Sequence, residues 1–177
     1  MVFTHDTECA LVSAVFLANS AEDPDTLDTC EQLREFYRSH DYTGRLDGDQ
    51  AELDSVRSLR PRLRQLLTSD RDAAVDIVNQ ILSDANALPR LVRHGDTDWH
   101  LHAVSDDHPF AVRIAVESAM AMIDVIRADE LSRLQICAAD CDGIVLDLSR
   151  NRSRKFCSTA CGNRTAVAAY RTRKSSR

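Results

Sequence analysis

The stretch CAADCDGIVLDLSRNRSRKFCSTACGNR, from Cys137 to Arg164, decides how this chain ends and what that end is built to do. Two cysteine pairs, Cys137/Cys141 and Cys157/Cys161, repeat the spacing C-x3-C and stand fifteen residues apart. Close pairs flanking a hairpin-length segment let four thiolates converge tetrahedrally on one Zn²⁺. The intervening residues fit that geometry. Ile144-Val145-Leu146 reads as a strand, Ser149 to Ser153 as a turn, and Arg154-Lys155-Phe156 as the return strand. Cys157 and Cys161 then enter a final helix, one turn apart on one face. A knuckle, a hairpin and a helix holding the last ligands make a treble-clef-like finger. So short a segment cannot stabilise itself by burial, and zinc would supply most of its folding free energy, on the order of 10 kcal/mol. Four thiolates leave no coordination position for water, so the expected ion is structural. Two disulfides are the competing reading. The opening Met1 to Asp6 lacks the basic-then-apolar order of a signal peptide, which points to the cytoplasm and against disulfides.

Charge gathers around the same segment. From Arg150 onward there are nine basic residues and no Asp or Glu, whereas the preceding chain sets 13 basic against 28 acidic residues. The tail is therefore +9 on a body of −15, an asymmetry expected of a nucleic-acid-binding appendage. The candidate DNA contacts are Arg150, Arg152, Arg154 and Lys155 at the hairpin tip, and Asn163, Arg164, Arg171, Arg173 and Lys174 on the helix. Arg164 and Arg171, seven apart, share a helical face. Gly162-Asn163-Arg164 lies where free N–H groups and the helix dipole attract a phosphate. Aromatic residues for stacking single strands are few, Phe156 and Tyr170, so duplex DNA is the expected partner. A tail that only solubilises the body, and a finger that grips an acidic protein as an adaptor, are the alternatives.

The first three-quarters reads as mainly helical. At 177 residues and 44% hydrophobic, the chain suits one ordinary domain plus an appendage, divided as 1–130 and 131–177. Cys9 to Ser20 is a very apolar helix, buried on more than one face. Asp25 or Thr26 is a plausible N-cap for a second helix carrying Cys30, Leu33, Phe36 and Tyr37. A third begins near Asp49, and Pro61 should kink or divide it. Ser69 or Asp70 caps a fourth. Leu91–Arg93 and Trp99–Val104 flank a hairpin loop, with His100 and His102 on one face. Asp107 opens the longest helix, running to about Arg127 with Val112, Val116, Ala119, Ile123 and Ile126 as its apolar stripe. The expected class is α+β, a mostly α-helical body with a small β-hairpin and a C-terminal finger. No stretch approaches the roughly 20 apolar residues of a membrane span.

Other residues invite chemistry less strongly. His100 and His102 are two metal ligands without a signalled third. Cys9 and Cys30 sit in apolar helices and read as small buried hydrophobes. Nucleophile-elbow, P-loop, paired-acid and HExxH patterns are absent from the sequence, so no enzymatic activity is expected.

The segment Cys141 to Arg164, continued by Val167 to Arg171, resembles the CGNR zinc finger, named for the tetrapeptide at Cys161 to Arg164. Leu146 departs from that pattern, standing where an aromatic is often found. The upstream chain resembles the ABATE domain that normally precedes this finger. Ala10 to Ser20 is similar to its apolar first helix ending in Asn-Ser, and Leu59 to Arg64 and the Trp99 strand also fit. The resemblance implies a bacterial transcription regulator of a kind described as stress-induced, with the four cysteines as zinc ligands and Asn163, Arg164 and neighbouring basic residues on DNA. It also implies that Asp147 and Ser149 brace the hairpin. The body would then sense a small-molecule effector or mediate homodimerisation, since one finger reads few bases. Replacing Arg164 or Arg171 with Ala is expected to weaken DNA binding and leave zinc content intact.

Overall fold

The computed structural model of the protein describes residues 2–94, 97–139 and 141–175. Seven α-helices are described: α1 (His5–Asn19), α2 (Cys30–Ser39), α3 (Gln50–Ser58), α4 (Arg60–Thr68), α5 (Arg71–Asp84), α6 (Phe110–Arg127) and α7 (Thr159–Ser175). Two antiparallel hairpins complete the chain, β1 (Arg90–His94) with β2 (Thr97–His102), and β3 (Leu134–Ile136) with β4 (Ile144–Leu146). Among the described residues no helix is long and apolar enough to cross a membrane.

Local chemistry sets most helix ends. Asp49 and Asp70 cap α3 and α5, each carboxylate accepting an N–H three residues on. Pro61 divides the third helix as expected, because α4 restarts at Arg60 and Pro is favoured at a first turn, where its missing N–H is not needed. Two starts differ from the sequence reading. The first helix begins at His5, not Cys9, because Glu8 accepts the N–H groups of Val2 and Phe3 and folds the N-terminus onto the first turn. The second begins at Cys30 under a capping box in which Thr29 and Gln32 satisfy each other's N–H groups. Asp25 is unavailable as a cap. It is bridged by Arg60 at 2.8 Å and by Arg57 at 3.1 Å.

At the centre lies α6, packed between α1 and α5. It is buried far beyond a single stripe: Phe110, Ile114, Ala115, Val116, Ala119, Met122 and Val125 all lie in the core. It starts at Phe110 after Pro109, with Asp107 in the preceding turn. Arg113 can be buried among these apolar residues because each of its three guanidinium nitrogens finds a backbone acceptor. Its nitrogens donate to the carbonyls of Thr43, Arg45 and His108, pinning the 41–48 loop to α6. Gly44 in that loop has φ +82°, and a Cβ there would lie 2.8 Å from Asp106. Aromatics are scarce, yet Phe16, Phe36, Tyr37, Tyr42 and Phe110 form one cluster. Not all of α1 is covered, for Val12 and Phe16 remain about two-fifths exposed.

The finger hairpin is part of this core. Ile144 and Leu146 belong to the same apolar cluster as α1 and α4. At the joint, the Asn19 side chain at the end of α1 donates to the carbonyl of Ile144 at 2.9 Å and accepts its N–H at 2.8 Å. A side-chain amide thus does for β4 what a further strand would.

Candidate metal centre and nucleic-acid surface

The knuckle occupies the turn of the β3–β4 hairpin. Leu134 faces Leu146 and Ile136 faces Ile144, and the chain between the strands carries Cys137 and Cys141. Cys137 N–H donates to the carbonyl of Gly143 at 2.8 Å, and Cys141 N–H to that of Ala139 at 2.8 Å, folding the thiols inward. The expected pairing of Ile144–Leu146 with 154–156 is not formed. The carboxylate of Asp147, fully buried, takes the N–H of Arg154 at 2.8 Å and that of Ser149 at 2.8 Å. Arg152 adds a left-handed turn at φ 48°. The return segment is therefore held by Asp147, and Lys155 makes one backbone contact, accepting from Ala138. Burial raises the Asp147 carboxyl, but the Ser149 and Arg154 donors and the Arg133 charge outweigh it and hold it below its ordinary value.

Cys157 arrives at the end of this segment, just before α7 and not within it, while Cys161 lies in the first turn. The Sγ atoms of Cys141, Cys157 and Cys161 are 3.6 to 3.7 Å apart, and all four thiols lie within 4.8 Å of one another. A tetrahedron with Zn–S bonds of about 2.3 Å has edges of about 3.8 Å, so the residues present fit the ion. Among the described residues they are the one group of three or more candidate ligands that converges. Burial works against ionising Cys137, yet the N–H groups of Cys157 and Ala139 and the neighbouring thiols bring it down to about 7. Gly143 is required by space. A Cβ on it would stand 2.7 Å from Cys157 Sγ.

The basic residues divide into two groups. Arg152 is tied down, its guanidinium donating to both Glu130 oxygens at 2.9 and 2.7 Å and to Ser132. Arg164 donates to Cys161 Sγ at 3.2 Å, so its guanidinium lies beside a metal ligand. Arg150, Lys155, Arg171, Arg173 and Lys174 are exposed and make no ion pair with described residues, and Arg154 and Asn163 are exposed beside them. Beyond Thr165, α7 is exposed through Lys174, with Tyr170 61% open.

His100 and His102 lie side by side as expected, Nε2 to Nε2 3.1 Å, with Asp106 3.3 Å from His102. Cys9 is exposed beside His5, not buried, because its turn of α1 faces a cavity, whereas Cys30 is partly buried at the start of α2. Asp147 braces the hairpin as the resemblance implied, whereas Asn19, Arg113 and Glu117 carry structural or polar roles that the sequence pattern concealed.

A family model for the ABATE domain, described as "Putative stress-induced transcription regulator", matches residues 12–129, and one for the CGNR zinc finger matches residues 133–174. The first spans about two thirds of the chain, and the protein belongs to that family, with a CGNR finger at its C-terminal end. No curated protein matches the chain. The four cysteines form a zinc-finger site suited to one Zn²⁺, and their thiolate set marks the ion as structural.

Proposed function

We propose that the protein is a DNA-binding transcription regulator of the cytoplasm, associated with the nucleoid when bound, and that it is not an enzyme. The observation that carries this reading is the exposure of α7. A 17-residue helix is roughly 25 Å long. It is anchored at its first turn by the zinc site and bears Arg171, Arg173 and Lys174, which make no ion pair with described residues. Such a helix fits a major groove about 12 Å wide, with Arg150, Arg154 and Lys155 placed to take flanking phosphates. The acidic body disfavours DNA spreading over the rest of the molecule. Because one finger reads few bases, we assign the helical body a second task, receiving a small-molecule effector. Homodimerisation would extend the site read.

Duplex-DNA affinity of the zinc-loaded protein, measured against salt, tests this. Neutralising Arg171, Arg173 and Lys174 together with Ala should make the slope of log affinity against log salt shallower by about 2 to 3, each phosphate contact contributing about 0.9. Arg152→Ala, which removes a cation already paired with Glu130, should alter the slope little. Salt-independent or absent binding would refute the reading, and retention of an acidic protein in its place would establish the adaptor alternative.

A further inference from the structure

A cavity of about 290 Å³ opens between the N-terminal half of α1, the Tyr42–Thr43 loop, β2 and α6. Its floor is apolar, with Ala10, Leu101, Met120 and Ile123. Its polar wall is acidic. Asp6, Asp41, Glu117 and Asp124 face it, against Arg113, Arg127 and the imidazoles of His5, His40, His100 and His102. Arg113 is unavailable to a ligand, since its nitrogens are taken by three backbone carbonyls. Asp124 is fixed by Thr7, whose hydroxyl donates to it at 2.6 Å. Burial lowers the pKa of His40 and so disfavours its charged form.

Glu117 distinguishes this wall from an ordinary acidic surface. It stands on the central helix, and the protein packed round it removes so much water that its carboxyl is pushed up to about 7, despite the charge of Arg113. It makes no hydrogen bond or ion pair with described residues, and the surface it keeps lines the cavity. A partly buried carboxyl that opens into a cavity and has no donor of its own favours a cation that makes up the missing solvation. An anion would meet four carboxylates. An ammonium on a short apolar stem would meet Glu117 with its head and the Met120–Ile123 floor with its stem.

We propose that this cavity is the binding site for a small organic cation, an ammonium or amidinium on an apolar stem, with Glu117 as its counter-ion. That such a ligand acts as an input rests on the regulator reading above, whereas its binding does not. The route for an input is α1, whose first turns line the cavity at His5, Asp6 and Cys9 and whose last residue, Asn19, holds the finger strand at Ile144.

The test uses the full zinc-loaded chain at pH 8 with n-butylammonium as the probe, and butyrate and n-butanol as matched controls, followed by NMR titration. Butylammonium should shift α6 and β2 resonances saturably and butyrate should not. Glu117→Gln, with its fold verified by thermal unfolding, should weaken butylammonium binding at least about tenfold. Equal binding of butyrate or n-butanol, or unchanged binding to Glu117→Gln, overturns the proposal. A parallel DNA titration with and without butylammonium separates the two readings. Binding with no change in DNA affinity leaves the site and removes its role as input, while loss of DNA binding in the absence of any probe refutes the regulator reading alone.

Discussion

Asn19→Ala should uncouple the finger from the body at a calculable cost. The Asn19 amide satisfies both backbone groups of Ile144, a residue only 1% exposed. Removing it leaves a buried N–H and a buried carbonyl without partners. Each such group costs about 1–3 kcal/mol, and Asn19 is half-buried, so water reaches part of the gap. A loss of about 2–4 kcal/mol follows. The assay is equilibrium urea unfolding of zinc-loaded protein, with zinc measured in parallel at each pH. Asn19→Asp sharpens the test through its sign. Its carboxylate still accepts the Ile144 N–H, but its second oxygen faces the Ile144 carbonyl and repels it. Protonation restores a donor, so the folded-state pKa is raised above the unfolded value near 3.9. Such a group contributes stability below its unfolded pKa and loses it as pH rises through the folded pKa. The deficit of the Asp variant should therefore shrink as pH falls. An Ala variant within about 0.5 kcal/mol of the parent, the range of ordinary surface changes, would refute the joint. So would a pH-independent deficit in the Asp variant.

Further outcomes are expected elsewhere. Gly143→Ala should lower zinc retention with every cysteine intact, read by metal analysis after chelator challenge, because its Cβ meets Cys157 Sγ. Cys157→Ser should lose the ion and unfold the finger, seen as loss of α7 helicity by circular dichroism. Asp25, held near pKa 2 chiefly by its hydrogen bonds from Arg60, contributes about 2 kcal/mol above pH 4, lost as pH falls toward 2; Asp25→Ala should abolish that part of the acid-unfolding profile. Glu117 has the opposite sign. Its folded pKa of about 7 lies above the usual 4.5, so it costs up to about 3 kcal/mol of stability as pH rises from 4.5 through 7. Glu117→Gln should gain most over the parent at pH 8 and least below pH 4.5, measured by thermal or urea unfolding.

The metal site was legible because the chemistry fixes the spacing: two C-x3-C pairs have few other uses. Helix ends with local causes were equally plain, as at Asp49, Pro61 and Asp70. What stayed hidden depends on partners distant in sequence. Asp25 is a good cap by composition, but Arg60, thirty-five residues on, claims it. Which strand pairs with Ile144–Leu146 is not legible, because three-residue strands carry no period; the partner is Leu134–Ile136, and the 154–156 segment is held off by a buried carboxylate that occupies the Arg154 N–H. The stripe read along α6 lies in or against the core, but it is joined there by Phe110, Ile114, Ala115, Met122 and Val125 because a central helix is surrounded, which also concealed Glu117 and Arg113 on it.

Sharing Ile144 and Leu146 between finger and body makes the finger a poor graft. Cut from its body, β4 would turn two aliphatic side chains to water and lose the amide that closes its outer edge; the body, in turn, would be left with an open seam along α1 and α4. Chimaeras that exchange the basic helix alone, joined after Thr165, should keep their fold, whereas exchanges made between Arg127 and Leu131 should not. On the proposed DNA-binding reading, changes of preference are thus confined to the tail beyond the zinc site, while the hairpin must change in step with the helices that hold it.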